Sequence, residues 1–241
     1  MTEKKPYLKP VIKKANPDVD GLIKQAIQLR QENAAQSIEL ALAALMQSEK
    51  RGYKKGAAEC HYNLGIAYFN QSNINAALEH LHKAGDYYSG LNMKKQMAES
   101  LNASGVVNKS KGSMDGSLDA HMKALKLFEE IDDKKGMASA NNNLGVLYKV
   151  QGEFNKALQY FEKALDINNK AKETSGLIMV LGNIANIHRQ TGNDRKAIDY
   201  NKKALEIAES VGDKKTFPSL PTTLVWCMRS RGNLMMLSGI L

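Results

Sequence analysis

Residues 143–164 read NLGVLYKVQGEFNKALQYFEKA. As a helix, the first part places Leu144, Val146, Leu147 and Val150 on an apolar stripe with Tyr148 beside it. Gly152 breaks that run, and a second follows with Phe154, Ala157, Leu158, Phe161 and Ala164 at helical spacing. Small residues fall where two helices would touch. The spacing sets Gly145 against Ala157 and turns Ala164 toward a following unit. One such hairpin cannot bury both apolar faces alone, so it must stack on copies of itself.

Those copies are present at a period of 40. One column of small residues runs Gly65, Gly105, Gly145 and Ala185, and the turn column runs Ser72, Gly112, Gly152 and Gly192. Two more run Ala77, Ser117, Ala157, Ala197 and Ala84, Ala124, Ala164, Ala204. An irregular bundle of amphipathic helices would not keep one spacing without a slip. The repeats are expected at 55–91, 94–131, 134–171 and 174–211. Their helix pairs are 55–71 with 74–91, 94–111 with 114–131, 134–151 with 154–171, and 174–191 with 194–211. Residues 18–50 read as a degenerate first hairpin, 18–31 with 34–50, in which Ala26 takes the small-residue place. Terminal repeats are often atypical because one face meets water.

The pattern Leu144-Gly145-x2-Tyr148 followed by Ala157-x3-Phe161-x2-Ala164 resembles the tetratricopeptide repeat (TPR) family over about residues 18–210. The period of 40 with NLG is similar to the Pins-type subclass, also found in bacterial signalling proteins; the place of the family's early Trp holds His61, Leu101, Asn141 and Leu181. HEAT and armadillo repeats have similar length but lack this Gly/Ala set. The resemblance implies an all-α fold, an α-solenoid wound as a right-handed superhelix of about five hairpins over 18–215. It also implies that the first helix of each pair lines a concave face along which a ligand lies.

Composition agrees with a helical scaffold. All five prolines, Pro6, Pro10, Pro17, Pro218 and Pro221, lie outside 18–217. The formal charge of +9 is uneven: residues 1–16 carry +4, residues 211–241 carry +3, and the body keeps +2. A nearly neutral body argues against nucleic acid as the partner. Residues 1–17 read as a solvated, disordered basic tail. Cys60 and Cys227 suggest neither a disulfide framework nor a zinc site. No apolar run approaches the roughly 20 residues of a membrane span, and the N-terminus has charge without an apolar signal core. A cytoplasmic protein is expected.

No catalytic constellation is legible. There is no HExxH, GxSxG or phosphate-cradling glycine loop, and His80 and His82 point different ways on a helix. His121 stands where Phe161 stands in the next unit and reads as a packing residue. The expected function is a non-catalytic interaction scaffold without cofactor or metal. The alternative is the regulatory or sensory segment of a larger signalling enzyme, such as a kinase or cyclase.

Three ladders mark the expected groove. Asn63, Asn143 and Asn183 repeat at one column, and Asn102 and Asn142 occupy the preceding one. Lys109, Lys149 and Arg189 follow six residues after the main Asn column, with Phe69 in the first unit; Asn186 joins the set. Asn inside a helix costs a few tenths of a kcal/mol against Ala, so its recurrence needs a reason. Its amide can pair with a peptide backbone of any sequence, and the cations would select an acidic or carboxylate-terminated peptide. The competing reading is that the asparagines bond neighbouring helices and the cations are ordinary solvated residues; for Asn143 and Asn183 the two stand level. Lys pairs at 54–55, 94–95, 134–135 and 214–215 read as a solvated edge between units rather than a basic ridge.

After Lys215 the pattern stops where another NLG is due. Re-read one base earlier, with free choice of synonymous codons, the tail from the 222/223 junction can spell NLGVVYEVKGKLDDAVRYL, two periods on from Asn143. Codon freedom permits many readings, but the joint match of motif and register favours a frameshift near 216–222. Residues 216–241 are therefore expected to be irregular.

Overall fold

The computed structural model describes residues 19–30 and 32–210; the readings made for 1–17 and 216–241 lie outside them. The described residues form ten helices and no strand. They pair as α1 (Val19–Leu29) with α2 (Ala34–Lys50), α3 (Lys54–Asn70) with α4 (Ile74–Gly90), and α5 (Lys94–Lys111) with α6 (Met114–Glu130). Two further hairpins follow, α7 (Lys134–Val150) with α8 (Phe154–Ala171) and α9 (Thr174–Gln190) with α10 (Asp194–Ser210).

Helices end every twenty residues, and the reason is the backbone. Turns inside hairpins place Ser72, Gly112, Gly152 and Gly192 at positive φ; turns between hairpins do the same at Gly52, Asn92, Asp132 and Lys172. In each, the next residue's amide bonds a carbonyl five residues back, as Glu153 N does to Tyr148 O at 2.9 Å and Asp133 N to Phe128 O at 2.9 Å. This is the Schellman closure, which satisfies helix-end carbonyls. The following residue then opens the next helix. Asn73 and Asp133 accept from the amides of Ala76 and Gly136 at 3.3 and 3.2 Å.

Each helix packs on its chain neighbours, and each odd helix also touches the next odd one, while no even pair makes contact of comparable extent. The array therefore curves, with odd helices as the inner layer and even helices as the outer. This is an α-solenoid, built as the repeat pattern requires.

The small columns adjoin, but the glycine column answers to a larger residue than Ala157. Ser117 Oγ donates to Gly105 O at 2.6 Å, and Ser37 Oγ donates to Ala26 O at 2.7 Å, which places Ala26 in register with the glycines. A Cβ on Gly145 would lie 2.7 Å from the Phe161 ring; on Gly105 it would lie 2.6 Å from His121, and on Gly65 2.6 Å from Leu81. In the last hairpin the same two columns hold Ala185 and Asn201. A second glycine set closes the joints between hairpins: a Cβ on Gly136 would stand 2.2 Å from the buried Phe128 ring, and one on Gly176 2.5 Å from Asn168.

The lysines at the unit edges are largely paired. Lys95 reaches Asp133, the N-cap of α7, at 3.0 Å and so links adjacent hairpins; Lys94 reaches Glu130 at 3.0 Å within its own hairpin, and Lys134 pairs with Asp132. They form a compensated edge and not a bare basic ridge, and exposed pairs of this kind add little stability.

Candidate peptide-binding groove

The inner layer carries the residues singled out by repetition, and the structure joins several of them across helices. Asn143 Nδ2 on α7 donates to Asn102 Oδ1 on α5 at 3.2 Å. One unit on, Asn183 Nδ2 on α9 donates to Asn142 Oδ1 on α7 at 3.0 Å. The two bonds are the same interaction repeated, because a stacking step of one repeat brings one Asn column against the other. Asn102 also donates to Ser139 Oγ at 3.2 Å, and its Oδ1 lies 2.7 Å from His121 Nδ1. A carboxamide oxygen only accepts, so His121 Nδ1 carries the proton. Burial, with Lys109 adding repulsion, lowers the His121 pKa to about 4, so the ring is neutral at pH 7.

Asn63 turns back on its own helix, donating to Glu59 O at 2.9 Å. Asn142 is 8% exposed, and its amide nitrogen meets the Met179 sulfur at 3.5 Å. The buried Oδ1 of Asn186 has no hydrogen-bond partner among the described residues. For Asn102, Asn142, Asn143 and Asn183, then, bonding to neighbouring helices accounts for part of their hydrogen-bonding capacity.

The cations behave differently. Lys149 is half-buried, and its Nζ reaches Asn183 Oδ1 at 3.4 Å. Burial lowers its pKa, and Lys109 lowers it further. Neither Lys109 nor Lys149 has a carboxylate within ion-pair distance among the described residues, and the same holds for the exposed Arg189. Two cations close enough to repel, and without a counter-charge, attract an anion.

A further column, of acids nearer the other end of the inner layer, was passed over although it repeats in register. Asp20, Glu59 and Glu99 lie in the N-terminal halves of the first three odd helices. Burial raises the pKa of Glu59, which also feels Asp20 from the neighbouring odd helix, and burial likewise raises that of Glu99. Acids thus belong to α1, α3 and α5, and uncompensated cations to α5, α7 and α9. Ser139 and His121 were also missed as parts of the Asn network, because neither column repeats its residue.

Among the described residues no group of three or more His, Cys, Asp or Glu could hold a metal, and no helix is long and apolar enough to cross a membrane. The fold defines a class, the α-solenoid of helix hairpins that serves as a protein-binding scaffold. Within it, residues 96–170 and again 136–210 match the tetratricopeptide repeat family profile. No curated protein matches the chain. The apo form of RapI superposes with a TM-score of 0.72 at 18% identity, covering 81% of this chain and 72% of that one. Aspartyl phosphate phosphatase F from Bacillus subtilis does so at 0.65 and 15%, covering 78% of this chain and 59% of its own. Kinesin light chain TPR-like repeats from Podosopora anserina give 0.66 and 12%, with coverage of 80% and 96%. At such identities the likeness is one of fold.

Proposed function

We propose that this chain is a cytoplasmic, non-catalytic scaffold that binds an acidic peptide segment of a partner protein along the inner layer. The period of 40 and the NLG motif support a Pins-type form of the repeat. The observation that carries the reading is the half-buried pair Lys109 and Lys149, which share the inner layer and repel each other without a carboxylate partner. Asp or Glu side chains, or a terminal carboxylate, supply the missing charge, with charge-assisted bonds roughly twice as strong as neutral ones. The Asn carboxamides, only partly engaged by neighbouring helices, add donors and acceptors for the peptide backbone. The acids at Asp20, Glu59 and Glu99 repel the same peptide, so its acidic part belongs over α5, α7 and α9.

The test is fluorescence anisotropy with labelled acidic peptides. Replacing Lys109, Lys149 and Arg189 together by Ala should weaken binding roughly tenfold or more and flatten its salt dependence. Affinity and salt dependence unchanged by the triple substitution would overturn the reading.

A further inference from the structure

The outer layer has an apolar site where the other three full repeats place polar groups. Met122 on α6 is 46% exposed; the same column holds His82, Glu162 and Lys202 in those repeats, and the exposed Leu42 in the degenerate first hairpin. With Leu125 and Tyr160 it lines an open groove between α6 and α8. The Tyr160 hydroxyl lies 3.9 Å from the Met122 sulfur, so the two sides of the groove meet at its floor.

The rim is basic. Lys123, Lys126 and Lys163 border the groove against one acid, Glu129. Lys123 pairs with Asp119 at 2.7 Å, and the Lys163 ammonium stands 5.1 Å over the Tyr160 ring. Lys126 and Lys163 have no carboxylate within ion-pair distance among the described residues. The equivalent places in the neighbouring outer grooves differ. Between α4 and α6, Lys83 and Lys123 remain but Gly85 and Ala120 replace the Leu and the Tyr; between α8 and α10, Leu165 and Tyr200 remain but Glu162 and Asp166 offset Lys163 and Lys203. Neither combines an apolar floor with an excess of cations.

We propose that the outer groove between α6 and α8 is a second docking site, which takes an amphipathic helix of a partner protein whose apolar stripe is flanked by acidic residues. Met122, Leu125, Lys126 and Glu129 follow the i, i+3, i+4, i+7 spacing of one helix face, which presents a groove wall to a helix laid alongside. The exposed thioether adapts to the shape of an apolar anchor. The charge of the rim selects the flanking residues of the ligand. A protein engaging both layers joins two partners, and this site does not depend on the reading of the inner layer.

The experiment uses the full chain and a labelled model helix with a leucine stripe flanked by glutamates. Controls are the same helix with lysine flanks, and anionic phospholipid vesicles. Met122→Glu and Lys126→Asp place in α6 the residues that α8 has in those columns. Both sites are solvent-exposed, and helical content by circular dichroism should not change. The glutamate-flanked helix is expected to bind saturably, and each substitution should weaken it roughly tenfold. The lysine-flanked helix should bind at least as weakly as that, and the triple Ala variant at Lys109, Lys149 and Arg189 should bind like the parent. Absence of saturable binding, or loss of binding only in the triple variant, overturns the proposal. So does equal affinity for the lysine-flanked helix, or capture by the vesicles in place of the peptide.

Discussion

At Asn102 one carboxamide ties three helices together: its own α5, α6 through His121, and α7 through Asn143 and Ser139. The arrangement keeps His121 neutral and buried, and this has a cost in acid. In the unfolded chain an imidazole takes up its proton near 6.5, whereas folded His121 and His61 do so only at about 4, chiefly because burial disfavours the charged ring. Between those values the unfolded state binds more protons, so stability falls as pH falls, and it levels off for these groups below both pKa values. Glu59 and Glu99, whose pKa values burial raises, contribute in the opposite direction. His121→Phe puts in α6 the residue that α8 has at Phe161, over a glycine as Gly145 lies under that ring. Denaturant titrations at about pH 7 and about pH 5 should show a smaller loss of stability in the variant than in the parent. An equal loss in both would show that His121 does not set the acid sensitivity.

Among the elements, the turns carry the regularity. Eight turns share one geometry, yet four are closed by a residue other than glycine, and Lys172 at φ 54° is the least suited of them. A left-handed conformation costs an L-residue roughly 1–2 kcal/mol, which Asn and Asp tolerate better than Lys does. Glycine avoids that cost and gives back part of the gain through the freedom it adds to the unfolded chain. Lys172→Gly should therefore raise stability by up to about 1 kcal/mol. Thermal melts monitored by circular dichroism decide this, and a lower midpoint for the variant would show that the Lys172 side chain contributes a contact that offsets the strain.

For the molecule as a whole, stability is a sum of hairpins and of the joints between them. The joint between the third and fourth hairpins is the Phe128 ring seated on Gly136, with Phe128 only 2% exposed. Phe128→Ala removes that contact at a cost of about 3–5 kcal/mol. Because the loss falls between units, the ends of the array should uncouple and chemical unfolding should broaden or divide into two steps. One transition with an unaltered slope would show that cooperativity runs through other contacts.

The columns at period 40 determined the helices, their breaks and their stacking, since small residues at fixed spacing leave few ways to pack. The joint glycines Gly56, Gly136 and Gly176 carry the same signal but were obscured by Gln96 in their column. The sequence also set out which Asn and Lys columns belong together on the inner helices. Only the tertiary structure decided that Asn102 meets Asn143 and Asn142 meets Asn183, partners 41 residues apart. That pairing depends on the step between hairpins, which is set by how rings such as Phe128 seat on glycines and not by the helical period. The same step brings Lys109 near Lys149 and sets Met122 opposite Tyr160, because nearness across a stacked array is a property of packing, which local spacing does not encode.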